Sequence, residues 1–478
     1  MRLRSMSLTC LALLAALPRV AGAQQQPDWN AIGPEAARIL SDYIRVNTTN
    51  PPGNEAQGAA FLRNILAREG LEATVWESAP GRANLVARWK GNGRRRPVIL
   101  LNHMDVVPAS REYWSVDPYA GTTKDGHVWG RGALDMKGMA VAQLVALIAL
   151  KRQGVQLERD VIFVATSDEE AGGALGAGDV VKNRFDLVRD AEFVINEGGE
   201  TALDDGGRLL YYGIVTAEKA PFWLNVVAKG EPGHGSRPRP TTAPNRLVRA
   251  LERVRTWQTP VKVLPVVERY FRDLAPQAPA AMRPLYANIR EAVRDSSSLA
   301  RITANSYHNA ILRNTISITV LSGSNKTNVI PPEARAELDV RLLPGEDQQA
   351  FLAELRRVIA DDSVEITPQG IGWQPTGSPD DSEPFRALER VMRRTDPGAV
   401  VTTIMPSGFT DCHFFQEKGI ACYGVDPFKL SDADGRGVHG NDERVSIENL
   451  RFGTKLLYDI LREVGGAPSA PPASGQTR

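Results

Sequence analysis

Three short runs of apolar residues constrain the fold of this chain more than any other feature of its sequence. They lie at residues 98–101, 161–166 and 193–195. A short run that is apolar throughout is typical of a strand buried on both faces of a sheet. Residues 139–152 are apolar almost all round and end before Gly154, which predicts a buried helix with a glycine beyond its C-terminus. Strand and helix therefore alternate, and we predict an α/β/α domain with a mixed, mostly parallel sheet.

Each apolar run leads into acidic residues or a histidine. His103 follows the first run, Glu169 and Glu170 follow the second, and Glu197 follows the third. Sheets of α/β proteins bind ligands beyond the carboxyl ends of their strands. We therefore expect these four side chains to lie at one edge of the sheet.

Three further residues on short motifs complete this set. They are Asp105 in HMDVVP, Asp135 in GRGALDMKG and His439 in GVHGNDE. In an extended segment the side chains of residues i and i+2 point to the same side, so Asp105 is placed to brace His103. Asp135, on a tight turn before a helix, is able to present both carboxylate oxygens and bridge two cations.

Each of these motifs, taken alone, has an ordinary structural explanation. A histidine and an aspartate can share a loop, Asp135 can cap a helix N-terminus, and acids 168–170 can form a solvated loop. Together, however, they offer more ligands than one hydrolytic metal ion needs, since three or four suffice. The surplus predicts a hydrolase with two metal ions, one bridging carboxylate and one unligated acid that serves as base.

The overall composition argues against several other classes of protein. The chain has 478 residues, with 57 basic and 56 acidic side chains, so it lacks the strongly basic balance typical of nucleic-acid binding. The G-x-S-x-G elbow of a serine hydrolase is absent from the sequence. GRGALD lacks the third glycine of a dinucleotide-binding loop.

The order of the predicted elements indicates one domain inserted into another. After about residue 217 a strand–helix–strand–strand–helix unit replaces the earlier alternation, which returns from about residue 400. We predict a catalytic domain formed by residues 30–216 and 377–465, with an α+β domain inserted at 217–376. The composition of residues 466–478 is typical of a disordered tail.

Residues 1–23 have the three parts of a secretory signal peptide. Arg2 and Arg4 precede an apolar stretch, which ends in a small-residue cleavage site at Ala23. The apolar stretch is short for a membrane span. We therefore expect the mature protein to be exported to the periplasm or secreted, without a membrane span.

Two cysteines, Cys412 and Cys422, remain after the predicted cleavage. Export allows a disulfide, and a helix packed on the next strand would bring the two together. The sequence leaves a disulfide and two buried free thiols as alternatives. Zinc ligation by this pair is disfavoured because the C-x2-C spacing is absent.

The motifs, in this order, resemble those of the M20 family of co-catalytic zinc metallopeptidases, which includes aminoacylase-1, carboxypeptidase S and glutamate carboxypeptidase. The resemblance covers about residues 35–465 and rests on HMDVVP, GRGALDMKG, DEEAGG, NEGGE, GHGSRP, NVIPPEARAELDVR and HGNDE. Glutamate at position 197, with PSGFTD at 406–411, is similar to the aminoacylase-1 and carboxypeptidase S branch.

The resemblance implies two Zn²⁺ ions per chain, and Co²⁺ or Mn²⁺ also suit such ligands. Asp135 would bridge the ions, His103 and Glu197 would complete one site, and Glu170 and His439 would complete the other. The resemblance also implies a cis peptide bond after Asp135.

Further roles are implied for residues around these ions. Glu169 would be the general base and acid, and Asp105 would brace His103. His234 would stabilise the oxyanion after closure of the inserted domain or from a partner subunit, so a homodimer through that domain is expected. Arg341 would grip a substrate carboxylate.

The expected activity is hydrolysis of an amide bond by a water that bridges the metal ions. The substrate would be an N-acyl amino acid or a small peptide cleaved at its C-terminal bond. The alternative is a non-catalytic exported protein that binds a peptide or amino acid in the same cleft. Glu169 beside Glu170 favours the enzyme, because binding alone needs no unligated base.

Overall fold

A computed structural model gives the structure of the protein and describes residues 26–204, 206–373 and 376–467. The helices are α1 (Trp29–Ile44), α2 (Glu55–Arg68), α3 (Lys137–Arg152), α4 (Ala177–Asn183), α5 (Ala243–Thr256), α6 (Pro265–Leu274), α7 (Arg283–Ala287), α8 (Ile289–Ala292), α9 (Ser296–Thr303), α10 (Ser306–Ile311), α11 (Gln348–Ile359), α12 (Glu383–Thr395), α13 (Cys412–Gln416), α14 (Asp432–Gly435) and α15 (Ile447–Val464). Short 3-10 helices lie at Arg111–Tyr113, Glu169–Ala171, Phe185–Leu187 and Ala275–Gln277.

The strands form one large sheet and three smaller ones. They are β1 (Ala73–Ala79), β2 (Arg82–Trp89), β3 (Val98–His103), β4 (Thr122–Lys124), β5 (His127–Trp129), β6 (Val161–Thr166), β7 (Phe193–Asn196), β8 (Glu200–Leu203), β9 (Leu209–Val215), β10 (Ala220–Lys229), β11 (Gly233–His234), β12 (Thr315–Ser322), β13 (Val329–Ile330), β14 (Glu333–Leu342), β15 (Val364–Gly372), β16 (Val400–Ile404), β17 (Ala421–Gly424), β18 (Lys429–Leu430) and β19 (Arg444–Ser446).

The large sheet has the strand order β1-β2-β6-β3-β7-β17-β9-β8-β18, and β16 also pairs with β9. At its centre β3 runs parallel to both β6 and β7, and β17 runs parallel to β7. Every residue of β3, β6 and β7 is buried. The three apolar runs are therefore neighbouring parallel strands, as the sequence predicts.

Helices cover both faces of the large sheet. α1, α3, α12 and α15 share one apolar cluster with one face of the sheet. On the other face, α4 and α13 contribute Val180 and Phe415 to a second cluster with β3 and β6. This three-layer arrangement confirms the predicted α/β/α fold class.

A second sheet of four strands, in the order β12-β14-β10-β15, lies within the predicted insertion. Buried and less buried residues alternate along β10 and β14, and α5 and α11 pack on the buried face. β15 is a strand that the sequence analysis missed. Its sequence, VEITPQGIG, contains a proline and two glycines, which predict a loop.

Helices between α5 and β12 pack on strands of the large sheet. Phe271 of α6 and Ile302 of α9 share an apolar cluster with Ile404 and Met405 at the end of β16. Part of the predicted insertion, within residues 265–311, therefore packs on the large sheet. The domain boundaries at 217 and 376 remain a prediction.

The predicted signal at residues 1–23 lies outside the described residues, as does the tail beyond residue 467. Within the described ranges, no helix combines the length and the apolar character needed to cross a lipid bilayer.

Cys412 of α13 and Cys422 of β17 form a disulfide. Both residues are buried in the cluster that α13 shares with the large sheet. Of the two alternatives left by the sequence, the structure has the disulfide, because α13 packs directly on the strand that follows it.

We expect the Cys412→Ala/Cys422→Ala variant to unfold at a lower urea concentration than the wild type. A cross-link that closes a loop of this size stabilises a protein by about 3 kcal/mol, mainly by restricting the unfolded chain. The variant also provides the control, since a thiol reductant should lower the unfolding midpoint of the wild type and leave that of the variant unchanged. A wild-type midpoint that does not respond to reductant after complete reduction would contradict the expectation.

Candidate metal centre

The carboxyl ends of the three central strands bring the predicted ligands to one cavity. His103 is the last residue of β3, Glu169 begins the 3-10 helix after β6, and Glu197 directly follows β7. Glu169, Glu170 and Glu197 line a cavity of about 310 Å³ together with Asp135 and His439. The expected edge of the sheet is therefore where the acidic motifs meet.

One group of donor atoms consists of His103, Asp135 and Glu197. His103 Nε2 lies 3.0 Å from Asp135 Oδ1 and 3.5 Å from Glu197 Oε1. The imidazole of His103 is fully buried, whereas both carboxylates are partly open to the cavity.

A second group consists of Asp135, Glu170 and His439. His439 Nε2 lies 3.1 Å from Asp135 Oδ2 and 3.2 Å from Glu170 Oε2. Asp135 therefore directs one oxygen to each group, which is the arrangement of a carboxylate that bridges two ions. His439 stands at the rim of the cavity, with about half of its side chain exposed.

The donor spacings fit small divalent cations. Two ligands held at zinc–nitrogen or zinc–oxygen bond lengths in a tetrahedral shell lie about 3.3 Å apart. The four measured separations, from 3.0 to 3.5 Å, bracket that value. In addition, among the described residues Glu170 Oε1 is buried without a hydrogen-bond partner, so a polar atom of a cavity-lining residue lacks a protein donor. The residues present therefore fit two cations.

Asp105 organises more of the site than the sequence analysis predicted. His103 Nδ1 lies 3.0 Å from the main-chain oxygen of Asp105 and 3.5 Å from its carboxylate. The same carboxylate accepts hydrogen bonds from the backbone N–H groups of Glu169 and Glu170 and from the Asn50 amide. Asp105 thus holds the histidine and the adjacent pair of glutamates in one arrangement.

The acidic side chains of the cavity are crowded together, and this crowding shifts the pKa values of the groups around it. Burial raises the pKa of Glu169 well above its usual range, and the neighbouring carboxylates raise it further. Hydrogen bonds that His439 donates to the carboxylates of Asp135 and Glu170 raise the pKa of its imidazole to about 10. Burial opposes the charged form of His103, but Glu197, Asp105 and Asp135 outweigh it and raise the pKa of its imidazole. The acids attract positive charge to the place where the donors converge.

Glu443 is a residue that the sequence analysis did not assign. Its buried carboxylate accepts hydrogen bonds from the backbone N–H groups of Gly132, Leu134 and Asp135, and it pairs with Arg131 at 2.7 Å. These contacts hold the turn that carries Asp135, whose peptide bond to Met136 is cis, as the resemblance implied. The HGNDE motif could have indicated Glu443, because this residue follows His439 closely. Nothing in the sequence, however, identifies the hydrogen-bond partners of Glu443.

His234 and Arg341 lie apart from the donor groups. His234 is exposed on β11, where Ser236 Oγ lies 2.8 Å from its Nδ1, and it is not among the residues lining the cavity. Arg341 donates from two of its three guanidinium nitrogens to Asp339, and its guanidinium lies 5.5 Å from the ring of Phe409, which does line the cavity.

Comparison with known proteins matches residues 99–463 to the model of peptidase family M20/M25/M40. The chain is 27% identical to aminoacylase-1 of Sus scrofa over 442 residues, which cover 91% of this chain and 97% of the relative.

Two solved structures have a similar fold. An M20 family metallo-carboxypeptidase from Sulfolobus solfataricus superposes with a TM-score of 0.68 at 20% identity, covering 90% of this chain and 99% of that one. A dinuclear metal-binding M20 peptidase of Bacillus subtilis superposes with a TM-score of 0.60 at 14% identity, covering 92% and 100%.

The family model spans most of the chain, and the relative matches it over nearly its full length. Together with the α/β/α fold and its cavity of acids and histidines, this identifies the protein as a member of peptidase family M20/M25/M40 and a hydrolase of amide bonds.

Proposed function

We propose that the protein is a two-metal hydrolase that cleaves N-acyl amino acids or the C-terminal peptide bond of small peptides. The observation that carries the proposal is the position of Asp135, whose two oxygens lie 3.0 and 3.1 Å from the imidazoles of His103 and His439. The relatives named aminoacylase-1 and metallo-carboxypeptidase support the two substrate classes.

His103, Asp135 and Glu197 would hold one ion, and Asp135, Glu170 and His439 would hold the other. Zinc suits these nitrogen and oxygen donors, and Co²⁺ or Mn²⁺ suit them as well. Such ions, when bound, lower the pKa of an attacking water and polarise the carbonyl of the substrate.

Glu169 is the proposed general base. Its carboxylate faces the same cavity as the two donor groups but belongs to neither. It would take a proton from the attacking water and pass it to the leaving nitrogen. The hydrogen bonds from Glu169 N and Glu170 N to Asp105 fix the backbone of both glutamates, so that Glu170 would hold an ion while Glu169 would stay free for proton transfer.

The proposed substrate contacts lie in the four-stranded sheet and the adjoining hairpin. Arg341 would bind a substrate carboxylate, although Asp339 already engages two of its nitrogens. His234 would stabilise the oxyanion only if the inserted region closes or a second subunit supplies it, since it is exposed and does not line the cavity.

We also propose a homodimer formed through the four-stranded sheet. β12 is an edge strand, and an unpaired edge is a ready template for a second chain. Leu321 on β12 is 66% exposed and Val248 on α5 is 65% exposed. Both border a groove that also includes Gly235, next to His234, which favours a second copy as the occupant.

Export of the mature protein to the periplasm or the exterior remains a proposal from residues 1–23. The Cys412–Cys422 disulfide supports it, because structural disulfides persist in oxidising compartments.

The replacement Glu169→Gln should lower kcat by about 10²- to 10⁴-fold, because glutamine cannot carry the proton. The metal content should stay at the wild-type value, since Glu169 is outside both donor groups. Hydrolysis of N-acetyl amino acids and dipeptides, with elemental analysis of the same samples, measures both quantities. Exposed Glu112 provides the matched control Glu112→Gln. Wild-type turnover in the Glu169 variant would remove it as the base.

Metal analysis separates the enzyme from a non-catalytic binding protein. Wild-type protein should contain two ions, lose activity with a chelator and regain it with Zn²⁺, Co²⁺ or Mn²⁺. His439→Ala should retain one ion, because the group of His103, Asp135 and Glu197 stays complete. His127→Ala, a histidine outside both groups, should retain two. Ligand binding without turnover in the fully loaded wild type would favour the binding protein.

The proposed dimer should dissociate in Leu321→Glu, because the change places a charge in the apolar contact. Light scattering after size-exclusion chromatography reports the mass in solution. Tyr113→Glu is the control, since Tyr113 is equally exposed but lies outside the four-stranded sheet. A wild-type mass of one chain at micromolar concentration would contradict the dimer.

A further inference from the structure

Glu218 is a buried acid that belongs to neither donor group and is not the proposed base. It lies on the segment that leads from β9 of the large sheet to β10 of the four-stranded sheet, and it is 5% exposed. Next to it, Lys219 donates to the main-chain oxygens of Ala310 and Arg313. This segment also pairs with the returning chain, through the bridge between Ala217 and Gly377. The backbone that carries Glu218 is therefore held on several sides.

The carboxylate of Glu218 is directed at one residue. Thr410 donates its backbone N–H to one carboxylate oxygen at 3.0 Å and its hydroxyl to the other at 2.8 Å. A buried carboxylate that accepts two donors from one residue fixes both the backbone and the χ1 angle of that residue.

Thr410 transmits this orientation to the metal cavity. Its only hydroxyl proton points to Glu218, so its oxygen is free to accept, and it accepts from Asn196 Nδ2 at 3.1 Å and from Cys412 N at 3.2 Å. Asn196 ends β7 and is directly followed by Glu197, one of the proposed ligands.

The same threonine also packs beside that ligand. A side chain added at Gly198 would meet Thr410 Cγ2 at 3.5 Å, and Thr410 and Glu197 both line the cavity. One chain of contacts therefore runs from the segment between β9 and β10, through Glu218, Thr410 and Asn196, to the backbone of Glu197.

We propose that Glu218 is a positioning residue that fixes Glu197 for metal binding by orienting Thr410 and, through it, Asn196. The inference rests on the proposed two-ion site. Hydrogen-bonded groups behind a metal ligand typically change metal affinity by about 10- to 100-fold when they are lost. The effect of Glu218 should fall on the ion that Glu197 binds and spare the ion held by Glu170 and His439.

The test is calorimetric titration of the metal-free protein with Zn²⁺. Glu218→Gln keeps the shape of the side chain but places an amide NH2 against one of the two donors of Thr410. We expect it to weaken one of the two binding steps by about 10- to 100-fold, and that step should be the one lost in Glu197→Gln. Thr410→Val, which loses the hydroxyl, should weaken the same step, whereas Thr410→Ser, which keeps it, should bind zinc as the wild type does. The double variant Glu218→Gln/Thr410→Val should bind zinc no more weakly than the single variants.

Asp160→Asn is the matched control for loss of a buried carboxylate. Asp160 is 8% exposed and accepts a backbone N–H from Gly91, but it lies at the opposite end of β6 from the cavity. The control should bind both ions normally. If Glu218→Gln does not fold, the comparison of Thr410→Val with Thr410→Ser carries the test.

Unchanged zinc binding in Glu218→Gln and in Thr410→Val would overturn the inference and leave the proposed function intact. Equal weakening of both steps would also overturn it, because the effect would then lie at the shared Asp135. A wild type that binds no Zn²⁺ would overturn the proposed function, and this inference with it.

Discussion

The structure depends on a concentration of negative charge at the carboxyl edge of the large sheet. Asp135, Glu169, Glu170 and Glu197 face one cavity, with the imidazoles of His103 and His439 within 3.5 Å of its acids. Carboxylates this close repel one another unless positive charge lies between them. The distances between the donor atoms fit two small divalent cations as the source of that positive charge. This fit links the fold of the sheet to a metal-dependent hydrolase of amide bonds.

Holding these acids together requires a scaffold of hydrogen bonds, and buried carboxylates supply much of it. Asp105 fixes the backbone of Glu169 and Glu170, and Glu443 fixes the turn of Asp135. Glu218 holds Thr410 in the same way. In each case a buried carboxyl group accepts at least one backbone N–H of a loop, which leaves the loop little freedom. The cavity is therefore preorganised by residues that do not line it.

Sequence patterns predicted the large sheet well, because its central strands are buried on both faces and their apolar character is continuous. They did not identify β15, since its proline and glycines are typical of a loop and pairing with β10 makes that segment a strand. The predicted insertion at 217–376 includes residues 265–311, of which Phe271 and Ile302 share an apolar cluster with Ile404 of β16 in the large sheet. Chain order does not reveal which apolar face a helix covers.

The sequence by itself determined the α/β/α class, the candidate ligands and their likeness to family M20, because these depend on residue types within short segments. The tertiary structure decided which residues contact one another. Asp135 directs separate oxygens to two histidines, Cys412 bonds to Cys422, and Asp339 accepts hydrogen bonds from Arg341. The tertiary structure alone brought Glu443 to the turn of Asp135 and Glu218 to Thr410, across 308 and 192 residues of chain. The physical reason is that a hydrogen bond or a metal site depends on distances of about 3 Å in space, and local sequence patterns carry no information about pairs so far apart.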